Sequence, residues 1–578
     1  MTLSPVFRAG AFLLALVLLF LRPAVGSTQV SDPVQLALLD LMENKPMPGQ
    51  GPALARPVDL AIERHVVELY AQREMRPLWV SQAGPDAKAL TIVNTLNASF
   101  DEGLNPEEYF VPAISRLWRS TTPGELAQLD ILLTRGLSAY LEDMAHGRAE
   151  PCQLDPQLFA TARENGTSKP GQLIAQAAQA PDLEQFLQQQ PPAHNAYRLL
   201  RTALARYRAL AEKGGWPRVS AGPSIKPGMS DSRIPAVRQL LTILGDYSGS
   251  AGQAVLFDPE LVAAVQRFQV RHNLTSDGVL GKKTQVAMNV PVAERIEQIM
   301  INMEVWRWLP HTLTGKQLYV NIAGYYLKVL QDERVEFESP VIVGQILHKT
   351  PVFSDDIRYL EFNPYWNIPA SIAKNEIVPE MIKDPGYLRK NNIRILAGWD
   401  ENGPEVDPAT IDWRKVGGGI NRYRLRQDPG PDNALGRVKF VLPNHYDVYL
   451  HDTPKHELFK RDDRAFSHGC IRVSRPVELA WYLLSGDDKN WTREKMDKIM
   501  ASGKRTIILL KKPMPIHILY RTVDVNPDSG AVSFYKDVYG RDALLGQALF
   551  PKGSGRICKY PPVSAASPPA NTAATPQK

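Results

Sequence analysis

The sequence predicts a multidomain α+β protein: an N-terminal helical scaffold, a small three-helix module, and a mainly-β C-terminal domain with a long inserted lid. Three observations predict this class. The chain has 578 residues, too many for a single core. Its apolar periodicity changes near Gln317, from helical spacing to short β-branched and aromatic runs. Gly/Pro-rich breaks such as "GGWPRVSAGPSIKPG" separate the textures. An apolar fraction of 44% and a charged fraction of 22% describe an ordinary globular chain. The net charge of +6 suits contact with an anionic polymer. No RNP-type, zinc-finger or basic-zipper pattern is present, so nucleic acid is not an expected partner.

The elements follow in order. Arg8 precedes an apolar run from Ala9 to Leu21, followed by Arg22, Pro23 and "AVGS". The run is short for a membrane span, which needs about 20 residues. A small-x-small site before Ser27 fits cleavage, so residues 1–26 read as a signal peptide, with an uncleaved anchor as the alternative. Residues 27–57 are Pro/Gly-rich and read as a linker. Residues 58–215 carry helical patterns in "VDLAIERHVVELYAQRE" and "AYRLLRTALARYRALAEKGG". They show no chemistry, and His65 reads as a packing residue.

Residues 222–292 form the compact module. Ile234, Val237, Leu241 and Leu244 mark one helix, closed by Gly245. In the next, Asp258 caps, Pro259 fits the first turn, and Leu261, Val265 and Phe268 share a face. A turn at Asp277-Gly278 leads to a third helix from about Lys282. From 316 to 512, "QLYVNI", "YYLKVLQ", "VEFESPVIVG", "RVKFVLP", "YDVYLH" and "TIILLKKP" read as strands. The interruption at about 374–435 is too long for an ordinary connection and reads as a lid. Residues 513–560 extend this domain, and 561–578 are compositionally disordered.

Chemistry concentrates in "AFSHGCIRVSRP", residues 465–476. The chain has three cysteines, an odd number, so at least one thiol is free in an oxidising compartment. Cys152 and Cys558 have no catalytic neighbours, and their pairing is undecided. Period-2 alternation puts Asp447, Tyr449 and His451 on one strand face, and Cys470 and Arg472 on another. Anchoring both strands in one core would turn His451, Tyr449, Cys470 and Arg472 to a common surface. A thiol of pKa about 8.5 needs such an imidazole to become a nucleophile. Gly469 leaves room for backbone donors at an oxyanion, and the helix starting at Ser474–Pro476 points its positive end toward the thiol. Metal ligation by His451, His456, His468, Asp452 and Cys470 is the second reading. It lacks a second cysteine at C-x-x-C spacing and any H-E-x-x-H motif. A structural cysteine is the third.

"HDTP" followed by "RAFSHGCIRV" resembles the signature of the L,D-transpeptidase catalytic family of bacterial cell-wall synthesis. The likeness extends over "VIVGQILHKTPVF", "LEFNPYWNIPASIA", "GRVKFVLPNHYDVYLHDTP" and "VYGRD". Likewise "PAVRQLL", "AAVQRFQVRHNL" and "DGVLGKKT" resemble the peptidoglycan-binding module, which in some proteins binds and in others only packs. The arrangement is similar to the large multidomain periplasmic type.

The resemblance implies Cys470 as nucleophile and His451 as general base, oriented by the Asp452 carbonyl, with no cofactor and no metal. Gly469 and Cys470 amides, with the Tyr449 hydroxyl, would form the oxyanion hole; Ser467 and His468 would shape the site. Arg472 would hold a substrate carboxylate, or else make a structural ion pair. Trp366 and Asn367 would line the approach, or else pack in the core. The implied reaction is a 3→3 cross-link between a tetrapeptide donor and an acceptor stem, through a thioester with release of D-Ala. Other cell-wall synthesis enzymes are candidate partners, the periplasm is the expected location, and carbapenem sensitivity comes with a cysteine nucleophile. The alternatives are a carboxypeptidase or endopeptidase of the same fold, and a non-enzymatic wall-binding scaffold.

Overall fold

A computed structural model describes residues 32–44, 57–158, 171–250, 252–310, 314–398, 403–487 and 490–550. The expected signal peptide, the tail over 561–578 and the side chains of Cys152 and Cys558 lie outside the described residues. No helix among the described residues is long and apolar enough to cross a membrane.

The described residues divide into two compact units, those up to 93 and 110–136 forming one, and those at 94–109 and from 137 onward the other. The helical region expected over 58–215 is therefore shared between them. In the first unit the linker expectation fails in part, because residues Pro33–Asn44 form an α-helix. Val34, Leu38, Leu41 and Met42 recur at helical spacing and are buried. This unit is pinned by Asp130. Its carboxylate accepts the Tyr70 hydroxyl at 2.5 Å and the backbone amides of Trp79 at 2.8 Å and Val80 at 3.1 Å. Val80 begins the short hairpin of β1 (Val80–Ser81) and β2 (Gly84–Pro85).

In the second unit, helix Asn195–Glu212 packs on helix Val292–Arg307 through Leu200, Leu204 and Tyr207 against Ile299, Met300 and Met303. The three-helix module follows its sequence pattern. Its helices are Ile234–Leu244, Pro259–Val270 and Lys282–Met288. Asp258 accepts the Leu261 amide at 2.9 Å, which satisfies an otherwise orphaned donor at the helix start. Ile234, Val237, Leu241, Leu261, Val265 and Phe268 form its core, and Leu244 packs at the edge.

The remainder is built on a nine-stranded sheet. In chain order its strands are β3 (Lys316–Asn321), β4 (Tyr326–Gln331), β5 (Arg334–Gly344), β6 (Phe353–Phe362), β10 (Val438–Val441), β11 (Leu450–His451), β12 (Ala465–Ser467), β13 (Ile471–Val473) and β14 (Thr506–Leu519). They lie in the order β12-β5-β13-β11-β10-β6-β14-β3-β4, and β4 pairs back onto β5. A sheet that returns on itself leaves little open edge. Its interior is filled by Leu318, Val320, Leu327, Val341, Leu360, Phe440, Leu450, Ile471 and Ile516.

Three expectations are corrected. Strand β6, central between β10 and β14, was not anticipated, because Ser354, Asp355, Asp356 and Arg358 break its apolar pattern. The segment "YDVYLH" is strand only at Leu450–His451; Asp447 has φ +53 and turns the chain before it. The boundary at 512/513 falls inside β14, which runs unbroken to Leu519.

The inserted lid also differs in kind. It is a folded subdomain rather than a loop, with β7 (Trp366–Asn367), β8 (Ile393–Ala397) and β9 (Tyr423–Gln427) in the order β7-β9-β8. Ile372, Ile377, Met381, Leu388, Ile395 and Leu425 give it a core of its own. It begins at Trp366, ahead of the expected position 374, because β7 supplies an edge to its sheet.

Candidate active site

The site is assembled by two short parallel strands. β11 pairs with β13 so that Leu450 faces Ile471 and His451 faces Arg472. Leu450 and Ile471 are fully buried, which holds the register, since a one-residue slip would turn both out of the core. Alternation then sends His451 and Arg472 to the opposite face. The Ile471 amide donates to the Tyr449 carbonyl at 3.1 Å, which brings the residue before β13, Cys470, alongside Tyr449.

Cys470 is half-buried and free. Its Sγ lies 3.6 Å from the Asp447 carbonyl oxygen. Burial raises the thiol's pKa, while hydrogen bonds from the Tyr449 amide and hydroxyl and the charge of Lys439 lower it. Lys439 faces His451 across β10–β11 and sits 4.1 Å over the Tyr449 ring. His451 is buried, and its Nδ1 is 2.5 Å from the Asp452 carbonyl oxygen. That contact makes Nδ1 the protonated nitrogen and leaves Nε2 as the basic one. Burial, the Arg472 charge and the Lys439 charge push His451 down to about 3, opposed by the Asp452 hydrogen bond. The imidazole is therefore neutral at neutral pH. The Asp452 carboxylate is occupied elsewhere, accepting the amides of Thr453 at 2.7 Å and Arg437 at 2.8 Å.

The loop before Cys470 is braced on all sides. Gly469 has φ +114, a conformation that strains any L side chain. Its carbonyl accepts the Thr350 hydroxyl at 2.8 Å, and that hydroxyl oxygen accepts the Gly344 amide at 2.9 Å. A Cβ at Gly344 would meet the Gly469 Cα at 3.1 Å and the His348 carbonyl far closer, so Gly344 leaves the space that this loop fills, whereas Gly469 is held to glycine by its φ alone. Tyr539 completes the brace, accepting the Thr350 amide at 3.1 Å and donating to the Gly344 carbonyl at 2.5 Å. Arg541, fully buried, pairs with Asp155 at 3.0 Å beneath it. Ser467 donates to the Cys470 carbonyl and accepts the Gly469 amide at 3.2 Å. This corrects one expectation: the Gly469 N–H is committed to Ser467, which leaves the Cys470 N–H as the backbone donor of the pair. Helix Pro476–Asp487 follows β13 in the chain.

Arg472 is mostly buried, its pKa lowered by burial and raised by Cys470 and Glu376, and its Nε has no hydrogen-bond partner. His468 does not face His451; its Nε2 lies 2.7 Å from Glu376 Oε1, and its ring 5.1 Å from that of His348. Trp366 and Asn367 lie in β7, opposite Gln427 and Arg426, with Trp366 packed against the insertion's core and Asn367 exposed. His456 stands off at 3.7 Å from Asp452, and no group of three or more His, Cys, Asp or Glu among the described residues could hold a metal ion. Sequence reasoning missed Lys439, Asp447's carbonyl and Glu376. It also missed Thr350 and Tyr539 as braces, although both stand in stretches that carried the resemblance.

Residues 315–493 match the family described as the L,D-transpeptidase catalytic domain, residues 230–288 the "Putative peptidoglycan binding domain", and residues 64–204 the "Scaffold domain". A curated relative from Haemophilus influenzae, named "Putative L,D-transpeptidase", is 35% identical over 252 residues, covering 44% of this chain and 49% of that protein. The chain thus matches about half the length of that relative. Two solved structures are similar over 52% of this chain. The L,D-transpeptidase of Xylanimonas cellulosilytica is covered to 99%, at 14% identity and a TM-score of 0.16. That of Stackebrandtia nassauensis is covered to 97%, at 13% identity and a TM-score of 0.21. Residues 315–493 of this chain thus match the L,D-transpeptidase catalytic-domain family, in one polypeptide with a stretch that matches a peptidoglycan-binding domain.

Proposed function

We propose that the chain is an L,D-transpeptidase of the cell wall or periplasm that forms 3→3 cross-links in peptidoglycan. The observation that carries this reading is the parallel pairing of β11 with β13, with His451 and Arg472 side by side and Cys470 brought alongside Tyr449 just ahead of the two strands. Cys470 is the nucleophile and His451 the general base. Both groups are uncharged at rest, since burial raises the thiol and lowers the imidazole. Proton transfer from Sγ to Nε2 therefore accompanies attack rather than preceding it.

The thiol attacks the carbonyl of the third stem residue, a meso-diaminopimelate, of a tetrapeptide donor. The Cys470 N–H and the Tyr449 hydroxyl take the oxyanion, whose charge is offset by nearby Lys439. The imidazolium then protonates the departing D-Ala nitrogen, leaving a thioester. A side-chain amine of a second stem attacks that thioester, forms the amide and returns the proton to sulfur through His451. Arg472, with a buried N–H lacking an acceptor, suits a substrate carboxylate. Asn367, exposed at the insertion's edge, lines the approach, while Trp366 supports it from the core.

Incubation of the protein with tetrapeptide muropeptides, followed by mass analysis, should yield D-Ala and dimers. A carbapenem should add covalently to the intact protein, and Cys470→Ala should abolish both events while leaving the circular dichroism and melting transition unchanged. Dimer formation by Cys470→Ala would remove the cysteine from this role.

A further inference from the structure

The inserted subdomain brings one charged side chain to the cysteine's surroundings. Glu376 lies in a π-helical turn, Ala373–Ile377, a distortion that occurs frequently at functional sites. Its Oε1 is 2.7 Å from His468 Nε2, yet the side chain remains 52% exposed and open to a ligand. Arg472 lies within electrostatic reach of both this carboxylate and Cys470, pairs with no carboxylate among the described residues, and keeps its Nε without an acceptor. A negative head from the insertion, held at His468, and a positive head from β13 thus stand at the residues two places before and two places after Cys470. A free α-amino carboxylate carries the complementary pair, with ammonium and carboxylate on one carbon. A simple carboxylate or a simple amine would leave one of the two heads unanswered.

We infer that Glu376 and Arg472 form the acceptor subsite, Glu376 taking the ammonium and Arg472 the carboxylate of an incoming amino-acid head. The inference rests on the acyl-enzyme reading above and names the class of amine that resolves it. The step balances as follows. The bound ammonium loses one proton through the Glu376–His468 pair to solvent. The resulting amine attacks the thioester carbonyl, a C–N bond forms and the C–S bond breaks. The second proton passes from nitrogen through His451 to the Cys470 sulfur. Glu376 is a specificity residue in this scheme, because an acyl-enzyme that fails to hold an amine is resolved by water.

The test uses the full chain and tetrapeptide muropeptides, with dimer, tripeptide and D-Ala followed by mass over time. Glu376→Gln should lower the dimer-to-tripeptide ratio at least tenfold and raise the acceptor concentration giving half-maximal dimer formation. Glu376→Asp should restore part of both. D-Ala release should fall far less than dimer formation. A ratio unchanged in Glu376→Gln, or a parallel fall of dimer and D-Ala, overturns the assignment. Failure of the unmutated chain to release D-Ala or take up a carbapenem overturns the cysteine reading itself and this subsite with it, a result the ratio cannot mimic.

Discussion

Two buried histidines share the large sheet, and the contrast between their surroundings separates a finished region from an open one. His517 on β14 has both ring nitrogens engaged, Nδ1 at 2.5 Å from the Ser354 hydroxyl and Nε2 at 2.9 Å from Gln317 Oε1. His451 on β11 has Nδ1 engaged with Asp452, while no hydrogen bond to its Nε2 occurs among the described residues. Burial lowers both, His517 to about 4 and His451 to about 3. The shifts alone therefore do not distinguish them. What differs is the unspent hydrogen-bonding capacity at the Nε2 of His451. Folded proteins satisfy buried polar groups almost everywhere, so capacity left open at a half-buried thiol points to a ligand. Asp130 in the first unit makes the same point from the other side. Its pKa is raised to about 6 by burial, but its oxygens are saturated with donors, and its role is to hold structure.

The largest effects should come from exchanging the two rings. His451→Gln removes the base and should reduce D-Ala release by about 10²–10⁴-fold, with little change in the melting transition. His517→Gln should do the reverse. It strands the Ser354 and Gln317 groups at a cost of about 1–3 kcal/mol, and leaves D-Ala release within a few-fold of the parent. Urea titration and the muropeptide assay on both variants measure the contrast directly. Equal losses of activity would mean that the open nitrogen does not mark the base.

Much of this end of the molecule was legible before the fold was seen, for physical reasons. Leu450 and Ile471 must enter a core, and a strand's period of two then fixes where His451 and Arg472 go. The unusual conformation at Gly469 requires a residue without a Cβ. Other features depend on distant partners. β6 is recognisable as a strand only once β10 and β14, far along the chain, supply its ladders, since Asp355, Asp356 and Arg358 mask its pattern. Glu376 has no local signal, because its proximity to His468 arises from the path of the insertion. Asp447 contributes a carbonyl, which any residue could offer, so its side chain gave a misleading cue about strand faces.

Arg472 should show an intermediate effect. Charge-assisted hydrogen bonds contribute about 1.5–3 kcal/mol, so Arg472→Gln should lower kcat/KM for dimer formation by roughly 10- to 150-fold. The same change removes a buried cation with an unsatisfied N–H, and so should leave stability unchanged or raise it slightly. A clear loss of stability with normal kinetics would recast Arg472 as part of a structural ion pair. That result would also remove it from the open region and blur the contrast with His517.

Acidification should affect the two rings alike. The unfolded chain protonates its histidines near pH 6.5, whereas folded His517 and His451 resist until about pH 4 and about pH 3. Between those limits the unfolded state binds more protons, so stability present above pH 6.5 is lost as the pH falls. Each ring contributes a slope of up to about 1.4 kcal/mol per pH unit, and buried His272, also lowered, adds to it. Urea midpoints between pH 7.5 and pH 4.5 should therefore decline, and either His517→Gln or His451→Gln should flatten the decline by a similar amount. Kinetics should separate what stability does not. The rate of carbapenem acylation should show no fall attributable to His451 near pH 6.5, because the folded ring stays neutral well below it. An acylation limb centred near pH 6.5 that disappears in His451→Gln would show a solvated imidazole, and the burial that makes the two rings alike would then be confined to His517.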